Sequence, residues 1–160
     1  MQEFAFTDAV LFIVFCPILV AVALSDMKYL RIPNTMVMTG LCLFILCAPL
    51  LGTTEALTRA VIGGLAFAIC AGMFALRVMG GGDAKMIPVM FLFVPSHLAS
   101  VYLIVFGWSL LLGMILIHVV RRGGQSGFAE WESMQTDAEF PMGVSIALSG
   151  FIFLAYAASL

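Results

Sequence analysis

Residues 8–34 read DAVLFIVFCPILVAVALSDMKYLRIPN, and their reading decides the fold. From Ala9 to Ser25 no side chain is charged, and the run is closed at both ends by carboxylates, Asp8 and Asp26. A helix of about 20 residues crosses the roughly 30 Å hydrocarbon core of a bilayer. Backbone groups in lipid have to be satisfied within their own segment, so such a run spans as a helix. Val10–Val20 followed by Ala21-Val22-Ala23 also has the outline of a secretory leader and its cleavage site. However, Glu3 and Asp8 precede it without any Lys or Arg, whereas a leader opens with positive charge. The expectation is a retained first helix that ends at Asp26.

Working outward, further apolar runs occupy Thr35–Leu51, Leu57–Val78, Ala84–Pro95, Leu98–Val120 and Pro141–Leu160. The Ala84–Pro95 run is short for a crossing and is open to two readings: a half-buried helix, or a helix that tilts and thins the bilayer. The other five are long enough to span. With 160 residues, 63% of them hydrophobic and only 10% charged, the chain lies far from the roughly 25% charged composition of soluble domains. Mean hydropathy is +1.16. The expected fold is an all-α integral membrane protein, one membrane-embedded domain over residues 1–160. It is a compact bundle of about six transmembrane helices with a short fourth helix.

Of the seven basic residues, Lys28, Arg31, Arg77, Lys85, Arg121 and Arg122 fall on one side of this topology and only Arg59 on the other. Positive charge is retained inside, which places the N-terminus outside and the six on the cytoplasmic side. The polar stretch 121–140, with Phe128 and Trp131, becomes a cytoplasmic loop within the domain. The third run carries Ala60, Gly64, Ala68 and Gly72 at four-residue intervals, a small-residue stripe that allows close packing by a neighbouring helix.

Several function classes drop out. A net charge of −2 offers no basic patch to displace counterions from phosphates, so nucleic acid is not an expected partner. Cys16, Cys42, Cys47 and Cys70 all lie in apolar runs without Cys-x-x-Cys or histidine spacing, and read as small hydrophobes rather than metal ligands. No metal or cofactor is expected. Gly80-Gly81-Gly82 is not a phosphate loop, because no Gly-Lys-Ser/Thr follows.

Two acids remain. Asp26 closes the first run and Asp83 follows the three glycines in Gly80-Gly81-Gly82-Asp83-Ala84-Lys85. Charge bias puts both at the cytoplasmic boundary, where each desolvated carboxylate calls for a function. Two carboxyls that share a site cannot both ionise easily. One can then act as base toward water while the other, protonated, hydrogen-bonds a scissile carbonyl. Plainer readings stand beside this one. Asp83 suits the N-cap of the next helix, and Asp26 could sit in water beside Lys28 or Arg31. Pro33-Asn34 restarts a helix, with Asn34 as a candidate cap. The glycines would let the chain turn sharply and approach a substrate.

The segment from Asp26 through Ile32-Pro33-Asn34, joined to Gly80-Gly81-Gly82-Asp83, resembles the type IV prepilin peptidases, intramembrane aspartic peptidases with a Gly-x-Gly-Asp motif. Phe140-Pro141-Met142-Gly143 is similar to the Pro-Tyr/Phe-Gly that opens that family's last helix, with Met142 in place of the aromatic. The resemblance implies catalytic Asp26 and Asp83. It gives supporting roles to Gly80, Gly81, Gly82, Lys85, Pro33, Asn34, Pro141 and Gly143, and makes prepilin-like precursors the substrate. It implies a bacterial inner-membrane location with the site at the cytoplasmic face. The chain has no paired Cys-x-x-Cys extension, so it is closest to the short form of tight-adherence (Tad, Flp) pilus systems, expected to cleave but not to N-methylate. An archaeal preflagellin-type peptidase is the neighbouring alternative. A proton-coupled transporter and a non-catalytic subunit of a pilus or secretion assembly are the alternatives outside the family. Lys85 either tunes the acids or snorkels to lipid phosphate; Lys28 and Arg31 read as topology anchors, His118 either reaches the site or is interfacial, and His97 falls on the opposite face. Oligomeric state is open.

Overall fold

A computed structural model describes residues 6–122, 131 and 140–159. Among them are six α-helices and no strand: α1 (Phe6–Tyr29), α2 (Asn34–Leu51), α3 (Thr53–Ala75), α4 (Asp83–Phe93), α5 (Ala99–Arg122) and α6 (Met142–Ala157). A single 3₁₀ turn, Ser96–Leu98, leads into α5. Four helical stretches are long and apolar enough to cross a membrane, and the chain is a multi-pass membrane protein. Most of the 121–140 stretch expected as a polar loop lies outside the described residues.

The last helix is shorter than its apolar run suggests. At 16 residues it extends about 24 Å at 1.5 Å per residue. The third helix ends at Ala75 rather than Val78, because Arg77 takes a left-handed conformation at φ 59°. Gly52, with φ 76°, alone separates α2 from α3, a conformation that costs glycine little.

Helix α4 settles the question of the short fourth run. Its 11 residues span about 16 Å, roughly half of the hydrocarbon thickness. Every residue from Met86 to Pro95 is buried, with α1, α2, α3 and α6 packed around it. It neither tilts through lipid nor lies at its surface; it is the core of the bundle. Phe93 stacks on Phe15 of α1 with ring centroids 3.9 Å apart. Gly63 of α3 brings that helix onto Leu92 and the Pro88 carbonyl, where a Cβ would stand 2.7 Å from Leu92. Beyond it, α6 bridges α1 and α5, and the Tyr102 hydroxyl pairs with Ser149 Oγ at 3.0 Å.

Two expectations need correction. The Ala60, Gly64, Ala68, Gly72 stripe does not pack inside the chain: all four are exposed. A Cβ at Gly64 or Gly72 would meet nothing within 4 Å. The face α3 buries runs instead through Arg59, Gly63 and Cys70. Arg59, read as a charge on the outer side, is 1% exposed. It donates to Asp8 of α1, to Glu55 Oε1 at 2.8 Å and to the Phe93 carbonyl at 3.4 Å. Glu55 in turn accepts from the Ser96 amide and hydroxyl at 2.9 and 2.7 Å. One guanidinium thus ties the starts of α1 and α3 to the end of α4.

Removing one partner of a buried ion pair strands the other charge and costs about 3–5 kcal/mol, whereas removing both costs far less. Arg59→Met is therefore expected to lower the thermal unfolding midpoint in detergent sharply. The Asp8→Asn/Arg59→Met double variant should recover most of the loss.

Candidate active site

Asp26 lies in the last turn of α1, on the face turned toward the bundle, and is 5% exposed. It does not pair with Lys28 or Arg31. Its Oδ2 accepts the backbone N–H of Gly143 at 2.6 Å, from the first turn of α6, where unpaired amides and the helix dipole favour negative charge. Contact this close requires a glycine: a Cβ at 143 would stand 2.7 Å from Asp26 Cβ. Pro141, also buried, occupies the position before α6 and sets up this turn.

Asp83 is the first residue of α4 and does not cap it; Gly82 holds the cap position and no side-chain cap bond forms. Its Oδ1 is buried and has no hydrogen-bond partner among the described residues. Burial and then the negative charge of Asp26 push the Asp83 carboxyl up to about 7. Water no longer stabilises the ionised form, and a like charge stands nearby.

Gly81 and Gly82 lie in the turn that leads into α4, and all three glycines also act through their lack of side chains. None of the three takes a positive φ. A Cβ at Gly80 would come within 2.7 Å of Asp83 Oδ2, one at Gly81 would press on Phe74, and one at Gly82 would meet Ile32 Cβ at 2.9 Å. The left-handed residues are Leu30 (φ 48°) and Arg77 (φ 59°), both in the walls of the site. That conformation costs a non-glycine residue about 1–2 kcal/mol, and such strain gathers at functional sites.

Two cavities meet at the acids. One, of about 560 Å³, is lined by Asp26, Leu30, Arg77, Val78, Met79, Gly80, Asp83, Phe140 and Met142. The other, of about 440 Å³, is lined by Asp26, Leu30, Arg31, Ile32, Pro33, Asn34, the three glycines and Asp83. Asp26, Leu30, Gly80 and Asp83 are common to both. Asn34 does not cap α2; it is that helix's first residue, and its Oδ1 accepts from Lys85 Nζ at 2.8 Å. Lys85 is therefore held against Asn34, one side of the acids, rather than pointing at them. His97 and His118 are exposed. Among the described residues no cluster of His, Cys, Asp or Glu could hold a metal ion, and the four cysteines are free.

The sequence model of the type IV leader peptidase family matches residues 13–118. The chain belongs to the type IV leader peptidase family. The match takes in Asp26, Pro33, Asn34, the glycines, Asp83 and Lys85, while Pro141 and Gly143 lie beyond it. No curated protein and no solved structure matches the chain. Peptidase activity on leader-bearing precursors thus follows for this membrane bundle at a general level.

Leu30, Arg77, Met79 and Phe140 also line the site, and nothing in their residue types signalled it. The Gly143 amide was legible only as part of a short motif. Gly143→Val should displace Asp26 and lower precursor cleavage by about 100-fold or more, as misplacement of a reacting group by about 1 Å does. Gel-based cleavage of a precursor by the folded, membrane-extracted variant checks this.

Proposed function

We propose that the protein is an intramembrane aspartic endopeptidase that removes a short basic leader from prepilins of the Tad/Flp kind. The site would face the cytoplasm across the bacterial inner membrane, with the N-terminus outside. One observation carries this reading: Asp26 and Asp83, from different helices, line the same two cavities at one end of the bundle. The six basic residues assigned inward belong to that same end, by helix direction.

The asymmetry of the pair assigns the roles. Asp26, bonded to the Gly143 N–H, is the carboxylate, since a hydrogen bond from an amide favours the charged form. Asp83, raised to about 7, holds the proton. As a water oxygen attacks the scissile carbonyl carbon, Asp26 takes one of its protons and Asp83 gives its own to the carbonyl oxygen. On collapse the C–N bond breaks. The amine leaves with the proton from Asp26, and a hydroxyl proton of the intermediate returns to Asp83. Water is consumed and both acids are restored. The cavities on either side of the pair leave room for substrate on both flanks of the bond.

Supporting residues act by position. Gly80 and Gly82 keep backbone close to Asp83 and Ile32, and Pro33 lines the second cavity. Transport through paired acids fits less well, because the pair sits at one end of the bundle rather than at the midplane.

Asp26→Asn and Asp83→Asn are each expected to abolish cleavage of a co-encoded prepilin while leaving the protein folded and inserted. The measurement is mass spectrometry of the new N-terminus. Retained cleavage in either variant sinks the pair assignment. Because catalysis needs Asp83 protonated, kcat/KM should fall as pH rises through about 7, where that proton is lost; a pH profile on the purified enzyme reads this out.

A further inference from the structure

A third cavity, of about 760 Å³, opens sideways between α2, α3 and α4. Met38 and Ile45 of α2, Gly64 and Phe67 of α3, and Val89 of α4 form its walls. Its only polar lining residues are Asn34 and Lys85, bonded to each other at 2.8 Å and both at the end nearest the acids. Asn34 lines this trough and the smaller of the two acid-bearing cavities as well. Trough and catalytic cavity therefore share a wall.

We infer that this trough seats the apolar helix that follows the cleavage point in the precursor, so that α2 and α3 form the enzyme's docking surface for substrate. The inference rests on the peptidase reading above and extends it to a surface. From Asn34 to Ile45 the trough follows α2 for about 16 Å. Its volume, about 760 Å³, then corresponds to a cross-section of about 50 Å², roughly half that of a helix 10–12 Å across. A half-embedded helix of three turns fits those dimensions.

The floor supports the same occupant. Ala60 and Gly64 are exposed, and a Cβ at Gly64 would meet nothing within 4 Å. Small residues four apart let a second backbone approach closely, which favours a helix in the membrane. Among the described residues no helix occupies that position, because α3 packs on α4 through Gly63 instead. The polarity also has a direction. A substrate that passes from a polar leader into an apolar helix would put its junction beside Asn34 and Lys85, with the scissile bond through the wall at Asp26 and Asp83.

The test uses the full-length protein in native membranes with a co-expressed prepilin. A photo-crosslinking residue is placed at Ile45 or Phe67 in the Asp83→Asn background, so that the precursor stays uncleaved; Ile104 and Ile115, exposed on α5, are the comparison positions. The expected result is crosslinking from Ile45 and Phe67 to the precursor's apolar helix, and none from α5. In otherwise wild-type enzyme, Gly64→Leu fills the trough without a clash inside the chain. It should lower cleavage at least about tenfold, chiefly through KM.

Crosslinks from Ile45 and Phe67 to lipid alone, or to a second copy of this chain, overturn the docking surface, as does unchanged cleavage by Gly64→Leu. In all three cases the wild-type enzyme still cleaves, so the peptidase reading stands. Failure of the wild-type enzyme to cleave the prepilin in the same membranes overturns both.

Discussion

A helix too short to cross the bilayer has to be enclosed by others, and the rest of this bundle is arranged around that requirement. Helix α4 covers about half of the hydrocarbon, so its open ends cannot be left in lipid with unpaired backbone groups. At one end the Phe93 carbonyl is met by the buried Arg59. At the other, Asp83 opens the helix at the edge of a cavity. α1, α2, α3 and α6 supply the walls. The carboxyl of Asp83 is thereby largely buried, which pushes it up to about 7, yet it lines two cavities. Enclosure of one short apolar helix thus yields the core and sets the position of Asp83.

Much of this was legible in the sequence because membrane helices announce themselves through long uncharged runs, and because acids beside such runs are rare. Asp26 and Asp83 stood out for that reason, and the structure brings both to the same cavities. The alternatives weighed for them do not hold, since Asp83 caps nothing and Asp26 bonds the Gly143 amide rather than a surface cation. The residues that position the acids were harder to see. Gly143 lies 117 positions from Asp26, and no local pattern marks an amide as a partner. The glycines before Asp83 drew attention as a turn, and the room they leave for Asp83, Phe74 and Ile32 was not visible in their spacing. Leu30 and Arg77 adopt left-handed backbone that their side chains disfavour, which composition cannot reveal.

The packing faces show the same limit. Spacing of four along α3 identified a small-residue stripe but not its partner, and the face buried against α4 is offset from it by about one residue, through Arg59 and Gly63. Periodicity reports that a face is smooth; it does not report which neighbour arrives. Arg59 was equally misleading. A lone basic residue near the start of an apolar run reads as a charge at the outer boundary, and its acids, Asp8 and Glu55, are distant or seemingly local. Only the meeting of α1, α3 and α4 buries Asp8 against Arg59, with Glu55 at the edge of the pair.

That group also bears on how the protein enters its membrane. Asp8 and Arg59 belong to separate helices, so in either orientation they meet only after both segments have been inserted. Until then each travels with the charge it carries, and unaccompanied charge in hydrocarbon is costly. Arg59 does not travel alone: Glu55, one turn earlier on the same helix, holds its Nε at 2.8 Å. Helix α3 thus carries its own counterion, and the Asp8–Arg59 pair forms only where α1 and α3 have come together.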